Sequence, residues 1–412
     1  MKEYTYASIV PLIGGETLGV MQAMNGQLPE YLLSYSPFAN NDSHFINYLR
    51  NQKSWEGEYV HLDVMENYVP QQVDVVNSVC PCAGLSSLST TSSADSAVND
   101  WMYKTANYVL ETVKPKVFWG ENAPRLFSSA GKKVADRLYA IGEKNGYSLN
   151  LYYTESHLHG LCQKRPRTFY FFTKSETAPI LKSWRRPMIP VEEIFKKKTL
   201  KSDPMNIPIT KSDPIDNAWV AYAVHKTGAG NVQGLYEKFD SSTNLIVASD
   251  RRLGEDLNAV AEWMDAQGRE DFSKIATRAR AMQKKLDDNK GYWGHGVTML
   301  KGLIPSLIGA MPHCSINPLT GKYLTIRDCL RIMGMPDDFN LVGDSPLSKV
   351  NHICQNVPVG TAADMMTGIL EYLNGECDFS SSQYIKQSNK TGEYDSQLPD
   401  NTSLESFLYL HK

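Results

Sequence analysis

The sequence predicts an α/β protein with a doubly wound, mostly parallel sheet and a smaller, irregular second domain. Short apolar runs alternate with helical patterns over residues 1–173. The character then changes, because prolines recur at positions 179, 187, 190, 204, 208 and 214, which is typical of a loop-rich segment. The length of 412 residues is enough for one large or two ordinary domains.

Residue patterns indicate the elements of the first region. Strands are predicted at the apolar runs 6–12, 59–64, 73–79, 116–119, 149–154 and 167–173. Helices are predicted where apolar residues recur at helical spacing, at 18–25, 100–113 and 130–144. Strands separated by helices form mostly parallel sheets, which bind ligands at the carboxyl ends of their strands.

The later regions differ in charge. Residues 174–324 contain 22 Lys and Arg against 17 Asp and Glu, whereas the whole chain has a net charge of −3. This basic segment indicates contact with a polyanion, although a solvated lysine-rich surface would look the same. A helix is predicted over 250–288 and helices with short strands over 325–376. The polar tail 378–412 has one further possible helix at 404–410.

Cysteine usage and hydropathy bear on the compartment. Seven cysteines without disulfide-like spacing favour a reducing compartment. Residues 1–21 make a poor signal peptide, and no apolar run approaches the length of a membrane span. We therefore expect a soluble, intracellular protein with no membrane partner.

The strongest local feature is the segment VCPCAG at 79–84, which follows a predicted strand. Pro81 fixes its backbone and Gly84 permits a tight turn, so a thiol here would lie where a parallel sheet keeps its site. A small buried thiol is the plainer interpretation. A metal site with Cys162, His157 or His159 is another, although the spacing fits no common zinc pattern, and we expect no metal.

Two more segments carry charged residues at strand ends. Glu121 follows the predicted strand 116–119, and the segment QKRPR at 163–167 leads into the last predicted strand. On extended chain, Arg165 and Arg167 would point to the same side. Each feature alone is most often structural.

Together and in this order, these motifs resemble the C5-cytosine DNA methyltransferase family. Pro81-Cys82 is similar to its Pro-Cys nucleophile loop, residues 121–123 to its Glu-Asn-Val motif, and residues 163–167 to its Gln-x-Arg-x-Arg motif. Residues 13–19 resemble its glycine-rich cofactor loop. The resemblance continues at 324–339, similar to "LTxRE…GFPDDF", and at 354–358, similar to "GNAVP".

The chain departs from the family pattern at four places. Leu12 stands where the cofactor loop has its first glycine, and no acidic residue occurs at 32–36 after the second strand. Ala83 replaces a Gln, and Cys354-Gln355 replaces Gly-Asn. These departures concern cofactor contacts rather than the nucleophile or the acid.

The resemblance implies a Rossmann-like methyltransferase that uses S-adenosylmethionine. Its implied catalytic residues are Cys82 as nucleophile, Glu121 as the acid at cytosine N3, and Arg165 and Arg167 at the base. The implied cofactor-binding residues are Ile13, Gly14, Gly15, Leu18, Asp63, Pro81, Gln355, Asn356 and Val357.

The resemblance also implies that two domains of the chain have different functions. Residues 1–173 and 325–377 would form the catalytic domain, and 174–324 would form the target-recognition domain on double-stranded DNA. The implied DNA-binding residues are Arg185, Arg186, Lys196, Lys197, Lys198, Arg278 and Arg280. A cognate restriction endonuclease is a candidate partner, and the resemblance implies a monomer in the cytoplasm of a bacterial or phage-infected cell. An RNA cytosine methyltransferase and a catalytically impaired DNA-binding homologue remain alternatives.

Overall fold

The structure is a computed structural model that describes residues 3–65, 67–81, 83–86, 93–174, 181–182, 184–247, 256–290, 296–309, 311–376 and 384–385. Cys82 and the helix predicted at 404–410 lie outside the described residues.

The described chain alternates strands and helices. The strands are β1 (Tyr6–Ile9), β2 (Tyr31–Ser34), β3 (Glu58–His61), β4 (Val75–Ser78), β5 (Val117–Asn122), β6 (Ser148–Glu155), β7 (Gln163–Lys164), β8 (Pro166–Thr173), β9 (Leu181–Lys182), β10 (Thr243–Asn244), β11 (Thr298–Met299), β12 (Ile304–Pro305), β13 (Ser315–Asn317), β14 (Lys322–Tyr323) and β15 (Tyr384–Ile385). The helices are α1 (Gly15–Ala23), α2 (Ala39–Lys53), α3 (Asp100–Tyr108), α4 (Lys132–Lys144), α5 (Val191–Phe195), α6 (Ala218–Thr227), α7 (Leu245–Val247), α8 (Leu257–Ala266), α9 (Glu270–Asp287), α10 (Ile326–Ile332), α11 (Pro346–Gln355) and α12 (Val359–Asn374).

A seven-stranded sheet in the order β3-β2-β1-β4-β5-β8-β6 forms the centre of the first part of the chain. The first five strands are parallel, and β8 runs antiparallel to both of its neighbours. The predicted doubly wound, mostly parallel α/β fold is thereby confirmed. The strand order reverses between β1 and β4, so the ligand crevice of such a sheet is expected at their carboxyl ends.

Aromatic side chains fix β5 against β8. Phe118 stacks on Phe172 and Trp119 on Phe171, with ring centroids 5.6 and 6.1 Å apart. All four rings are fully buried, and such pairs stabilise beyond their buried area. The end of β5, which carries Glu121, is therefore rigidly placed.

Contacts divide the chain into two compact units. The first comprises Met1–Gly160, Pro166–Pro187 and Asn356–Lys412, and the second Leu161–Arg165 and Met188–Gln355. Residues 325–355 thus group with the second unit, although we placed them in the catalytic domain by motif. The functional division into catalytic and recognition domains stays a prediction.

The second unit contains a small sheet, β10-β11-β13-β14, and a core in which α6, α8 and α9 share buried side chains such as Met264 and Phe272. Our single helix over 250–288 is wrong, because Gly268, at φ +67°, ends α8 before α9 begins.

Three other expectations about elements need correction. Residues 325–376 contain α10, α11 and α12 and no strand. Strand β3 is partly exposed rather than buried, since it lies at the edge of the sheet. Helix α2 had no counterpart among the predicted helices, because its sequence is too polar to show an apolar stripe.

Candidate active site

Three neighbouring strands of the large sheet bring the motif segments to one edge. The glycine loop follows β1, the segment 79–81 follows β4, and Glu121 lies near the end of β5. The register places Ile9 beside Ser78, and Ser78 beside Gly120. The fold therefore collects at the carboxyl edge segments that are distant in sequence.

The loop after β1 has an unusual backbone. Val10 and Leu12 both adopt φ +52°, and Gly14 adopts φ +88°. A Cβ atom on Gly14 would lie 2.1 Å from Phe45 Cδ2, and one on Gly15 would lie 2.1 Å from the Val357 carbonyl oxygen. Both glycines are therefore required by close approach, and Leu12 occupies a conformation that non-glycine residues adopt at a cost.

The closing segment contacts this loop directly. The Gly15 N–H donates to Asn356 Oδ1 at 2.8 Å, and Asn356 is buried. Behind the contact, Gly19 of α1 packs so closely on α12 that a Cβ would lie 2.5 Å from Ala362 Cβ. Gly15 and Asn356, predicted to share the cofactor site, are thus brought together.

The other predicted cofactor residues fall into two groups. Ile13, Leu18 and Val357 are buried. Asp63, Pro81 and Gln355 retain exposure to solvent. Asp63 accepts a hydrogen bond from Ser36 N–H through Oδ1 at 2.8 Å.

The first cysteine of the Cys-Pro-Cys segment is a buried thiol. Cys80 lies 3.3 Å from Ser78 Oγ and 3.6 Å from Thr105 Oγ1. Burial raises the pKa of its thiol above the ordinary value, which makes a thiolate unfavourable there. Cys80 therefore has the environment of a structural cysteine.

Glu121 pairs with Arg167 within the first unit. The carboxylate is 3% exposed, and its Oε1 forms an ion pair with Arg167 Nε. Because β8 runs antiparallel beside β5, the arginine is carried back to the strand end that bears the glutamate. The buried Glu121 and its neighbouring cation Arg167 therefore lie at the carboxyl ends of the parallel strands.

Arg165 has different partners and lies in the second unit. Its guanidinium is buried, and it donates to the carbonyl oxygens of Leu307 and Cys354 at 2.9 and 2.8 Å. We expected Arg165 and Arg167 to act together on one side of an extended strand. The structure instead gives the two arginines separate hydrogen-bonding environments.

Sequence reasoning missed a buried carboxyl group at the start of α1. Glu16 is fully buried, and its Oε1 accepts from Asn77 Nδ2 at 3.0 Å. Burial raises its pKa well above the ordinary value, and the charge of Glu121 adds to this. Burial therefore favours the protonated form of Glu16. Its position directly after Gly14-Gly15 was the available sequence signal.

One candidate ligand of the alternative metal site already has protein partners. His159 is buried, with Nδ1 2.9 Å from Asp364 Oδ2 and Nε2 2.7 Å from Thr154 Oγ1. Since both ring nitrogens have protein partners, neither is available to a metal ion. Burial raises the pKa of Cys162 to about 12, which disfavours the thiolate that metals bind.

The predicted DNA-binding cations differ in their surroundings. Arg186 was expected to contact phosphate, but its guanidinium donates to both oxygens of Asp364 at 2.7–3.0 Å, so its charge is already balanced. Lys196 pairs with Glu193 and Arg280 with Asp265. The remaining candidates are exposed: Arg185, Lys197, Lys198 and Arg278.

Among the described residues, no helix combines the length and apolar character that a membrane crossing requires.

Comparison with known proteins identifies a family and many structural neighbours. The family model for C-5 cytosine-specific DNA methylase matches residues 5–371. A prophage-encoded protein of E. coli, described as a DNA modification methyltransferase, is 15% identical with a TM-score of 0.55, over 90% of this chain and 100% of that one. The Entamoeba histolytica methyltransferase EhMeth is 11% identical with a TM-score of 0.53, over 90% and 99%. A search of the curated proteins finds no match.

Proposed function

Because the chain belongs to the C-5 cytosine-specific DNA methylase family, we propose that it methylates C5 of a cytosine in double-stranded DNA, with S-adenosylmethionine as donor and Cys82 as nucleophile. Family membership makes the chain a methyltransferase with a donor of the S-adenosylmethionine type. The observation that best supports the finer proposal is that the glycine loop, residues 79–81 and Glu121 lie at the same carboxyl edge of the sheet.

The residues at the end of β1 fit a donor without phosphates. Gly14 and Gly15 leave no room for side chains, because Phe45 and the Val357 carbonyl group pack against their backbones. Asp63 would offer a carboxylate to the adenine amino group. Ile13, Leu18 and Val357 are buried and would supply apolar support. S-adenosylmethionine supplies an electrophilic methyl group when bound.

Cys82 and Glu121 would carry the covalent chemistry. Cytosine C5 is a poor nucleophile until a thiolate adds to C6, so attack by Cys82 splits one difficult step into easier ones. Glu121 would donate to N3 and stabilise the charge that this attack places on the ring. C5 then takes the methyl group, its proton leaves to a base, and the S–C6 bond breaks as the ring double bond re-forms.

The arginines would support this chemistry in separate ways. Arg167, paired with Glu121, is the candidate for orienting the acid and contacting the cytosine O2. We propose that Arg165 supports the second unit through its carbonyl partners. Dividing the motif in this way replaces our expectation that both arginines act at the base.

Target recognition would reside in residues 174–324. A cytosine inside a duplex must be flipped out before a thiol can reach C6, so the protein has to hold both the base and the surrounding backbone. The exposed Lys197, Lys198, Arg185 and Arg278 are candidates for phosphate contacts, which position the duplex without reading its sequence.

Paired cysteine substitutions test the nucleophile. Cys82→Ser should abolish methyl transfer while DNA binding persists, because it removes the attack on C6 and little contact area. Cys80→Ser is the matched control, two residues away and already buried, and it should keep most of the activity. An inactive Cys80→Ser beside an active Cys82→Ser would refute the assignment.

The choice of nucleic acid is tested separately. Purified protein with labelled S-adenosylmethionine should methylate duplex DNA and leave transfer RNA unmodified. Bisulfite sequencing of DNA from expressing cells would then locate the modified cytosines. Methylation of transfer RNA alone would favour the RNA enzyme, and methylation of neither by wild-type protein would favour the impaired homologue.

A further inference from the structure

The glycine loop contains a leucine in a left-handed conformation. Leu12 adopts φ +52° and is buried. For an L-residue this conformation costs a factor of roughly 5–30 in population relative to the right-handed region. Something outside the loop must therefore hold the backbone in place at this position.

Asp42 of helix α2 provides that contact. Its carboxylate is fully buried, and Oδ1 accepts the Leu12 backbone N–H at 2.9 Å. A buried N–H without an acceptor is unfavourable, so the aspartate satisfies the donor that the left-handed turn directs towards α2. Phe45, one turn further along the helix, packs against Gly14, which makes α2 the support of two loop positions.

The aspartate is itself held by strand β3. Tyr59 donates its hydroxyl hydrogen to Asp42 Oδ2 at 2.9 Å, and His61 Nε2 lies 2.8 Å from the same hydroxyl oxygen. Both carboxylate oxygens thus have fixed partners. The resulting chain of contacts runs from His61 through Tyr59 and Asp42 to Leu12.

We propose that Asp42 is a positioning residue that holds the glycine loop in its ligand-binding shape by securing the left-handed backbone at Leu12. The inference rests on the proposed function in taking this loop as the binding site of the methyl donor. It adds a residue outside every motif by which the chain was recognised. It also accounts for a leucine at a position where the backbone favours glycine.

The test combines a truncation, a conservative variant and a backbone rescue. Burial raises the pKa of Asp42 to about 7, so binding of S-adenosylhomocysteine is measured by calorimetry above that pH. Asp42→Ala should weaken it by about tenfold, the loss of one buried hydrogen bond to a charged group. Asp42→Asn keeps an acceptor and should stay within about threefold of wild type. In Asp42→Ala, the added change Leu12→Gly should recover at least about threefold, because glycine adopts the turn without help.

The matched control is Asp74→Ala. Asp74 also accepts a backbone N–H of the same strand region, that of Thr5 at 2.9 Å, but at the opposite end of the sheet. Asp74→Ala should leave the affinity for S-adenosylhomocysteine unchanged. Tyr59→Phe is the second variant in case Asp42→Ala does not fold, and it should weaken binding less and in the same direction.

A second measurement separates this inference from the proposed function. Hydrogen exchange of the Leu12 amide, followed without any ligand, should be slow in wild type and at least about tenfold faster in Asp42→Ala. If wild type binds no S-adenosylhomocysteine, the proposed donor is wrong. The exchange measurement still tests whether Asp42 holds the backbone at Leu12. Two results would overturn the role of Asp42. One is that the Leu12 amide exchanges at the same rate in Asp42→Ala and in wild type. The other is that Asp42→Ala loses the same affinity for S-adenosylhomocysteine with and without the added Leu12→Gly change.

Discussion

The charged side chains of the sheet edge and those of the second unit are held in opposite ways. At the carboxyl edge, Glu121 is buried and paired with Arg167. In the second unit, Lys197, Lys198 and Arg278 project into solvent. Buried, preorganised charges act strongly on a reacting group, whereas exposed charges are screened by salt. Substitutions in the two regions should therefore differ in size and in salt dependence.

The largest effect is expected at Glu121. Glu121→Gln should lower the single-turnover rate of methyl transfer by roughly 10²–10⁴, the usual contribution of a positioned acid–base group. Donor affinity, measured by calorimetry, should hardly change. A loss of rate explained wholly by weaker donor binding would place Glu121 in the cofactor site instead.

The two arginines of the shared motif sharpen the comparison. Arg165→Ala should lower the free energy of unfolding by roughly 2–5 kcal/mol, because it leaves two buried carbonyl acceptors without their donor. Arg167→Ala should lower the transfer rate more than the stability. Urea unfolding should show the larger loss for Arg165→Ala, and single-turnover kinetics should show the larger loss for Arg167→Ala. Equal effects of both substitutions on both measurements would contradict it.

A smaller effect is expected from the buried carboxyl group of Glu16. Its folded-state pKa is raised above the ordinary 4.5, so the stability that it contributes is complete at low pH and is lost as the pH rises through the folded pKa. Glu16→Gln should therefore gain stability relative to wild type as the pH increases. Urea unfolding at several pH values would measure the gain, with the exposed Glu143→Gln as control.

The smallest effect is expected on the surface of the second unit. Charge reversal at Lys197 and Lys198 should weaken binding to all duplex DNA to a similar degree, and it should reduce the slope of affinity against salt by about one per lost phosphate contact. The methylated sequence should stay the same. Binding titrations at several salt concentrations would measure this, and a changed target sequence would show that these lysines read bases.

Local signals in the sequence were sufficient for the strands of the sheet other than β2 and for the order of the motif segments. Strands β1, β4, β5 and β8 coincide with the predicted apolar runs to within a few residues at their ends, because strands buried on both faces are nearly continuously apolar. The partners of single side chains were not predictable in this way. Arg186 looked like a phosphate ligand, but Asp364, 178 residues away, binds it.

The contact of Asp42 could not be predicted from the sequence either. It carries no motif and lies in a polar helix, and its importance comes from a backbone N–H 30 residues earlier. Such pairings depend on how elements pack, which residue type and spacing do not reveal. The roles of the motif residues, Cys82 above all, stay predictions that the experiments above will decide.

The contact between Gly15 and Asn356 has a consequence for the order of folding. The two residues are 341 positions apart, so the glycine loop acquires its final support only after nearly the whole of the family-matched region has been synthesised. Loop closure over such a distance is slow compared with local helix formation. On the ribosome, the strands of the sheet can pair early, but the loop in which we propose donor binding lacks its Asn356 contact until the segment before α12 has emerged. A nascent chain that ends before this segment should therefore bind the proposed donor poorly.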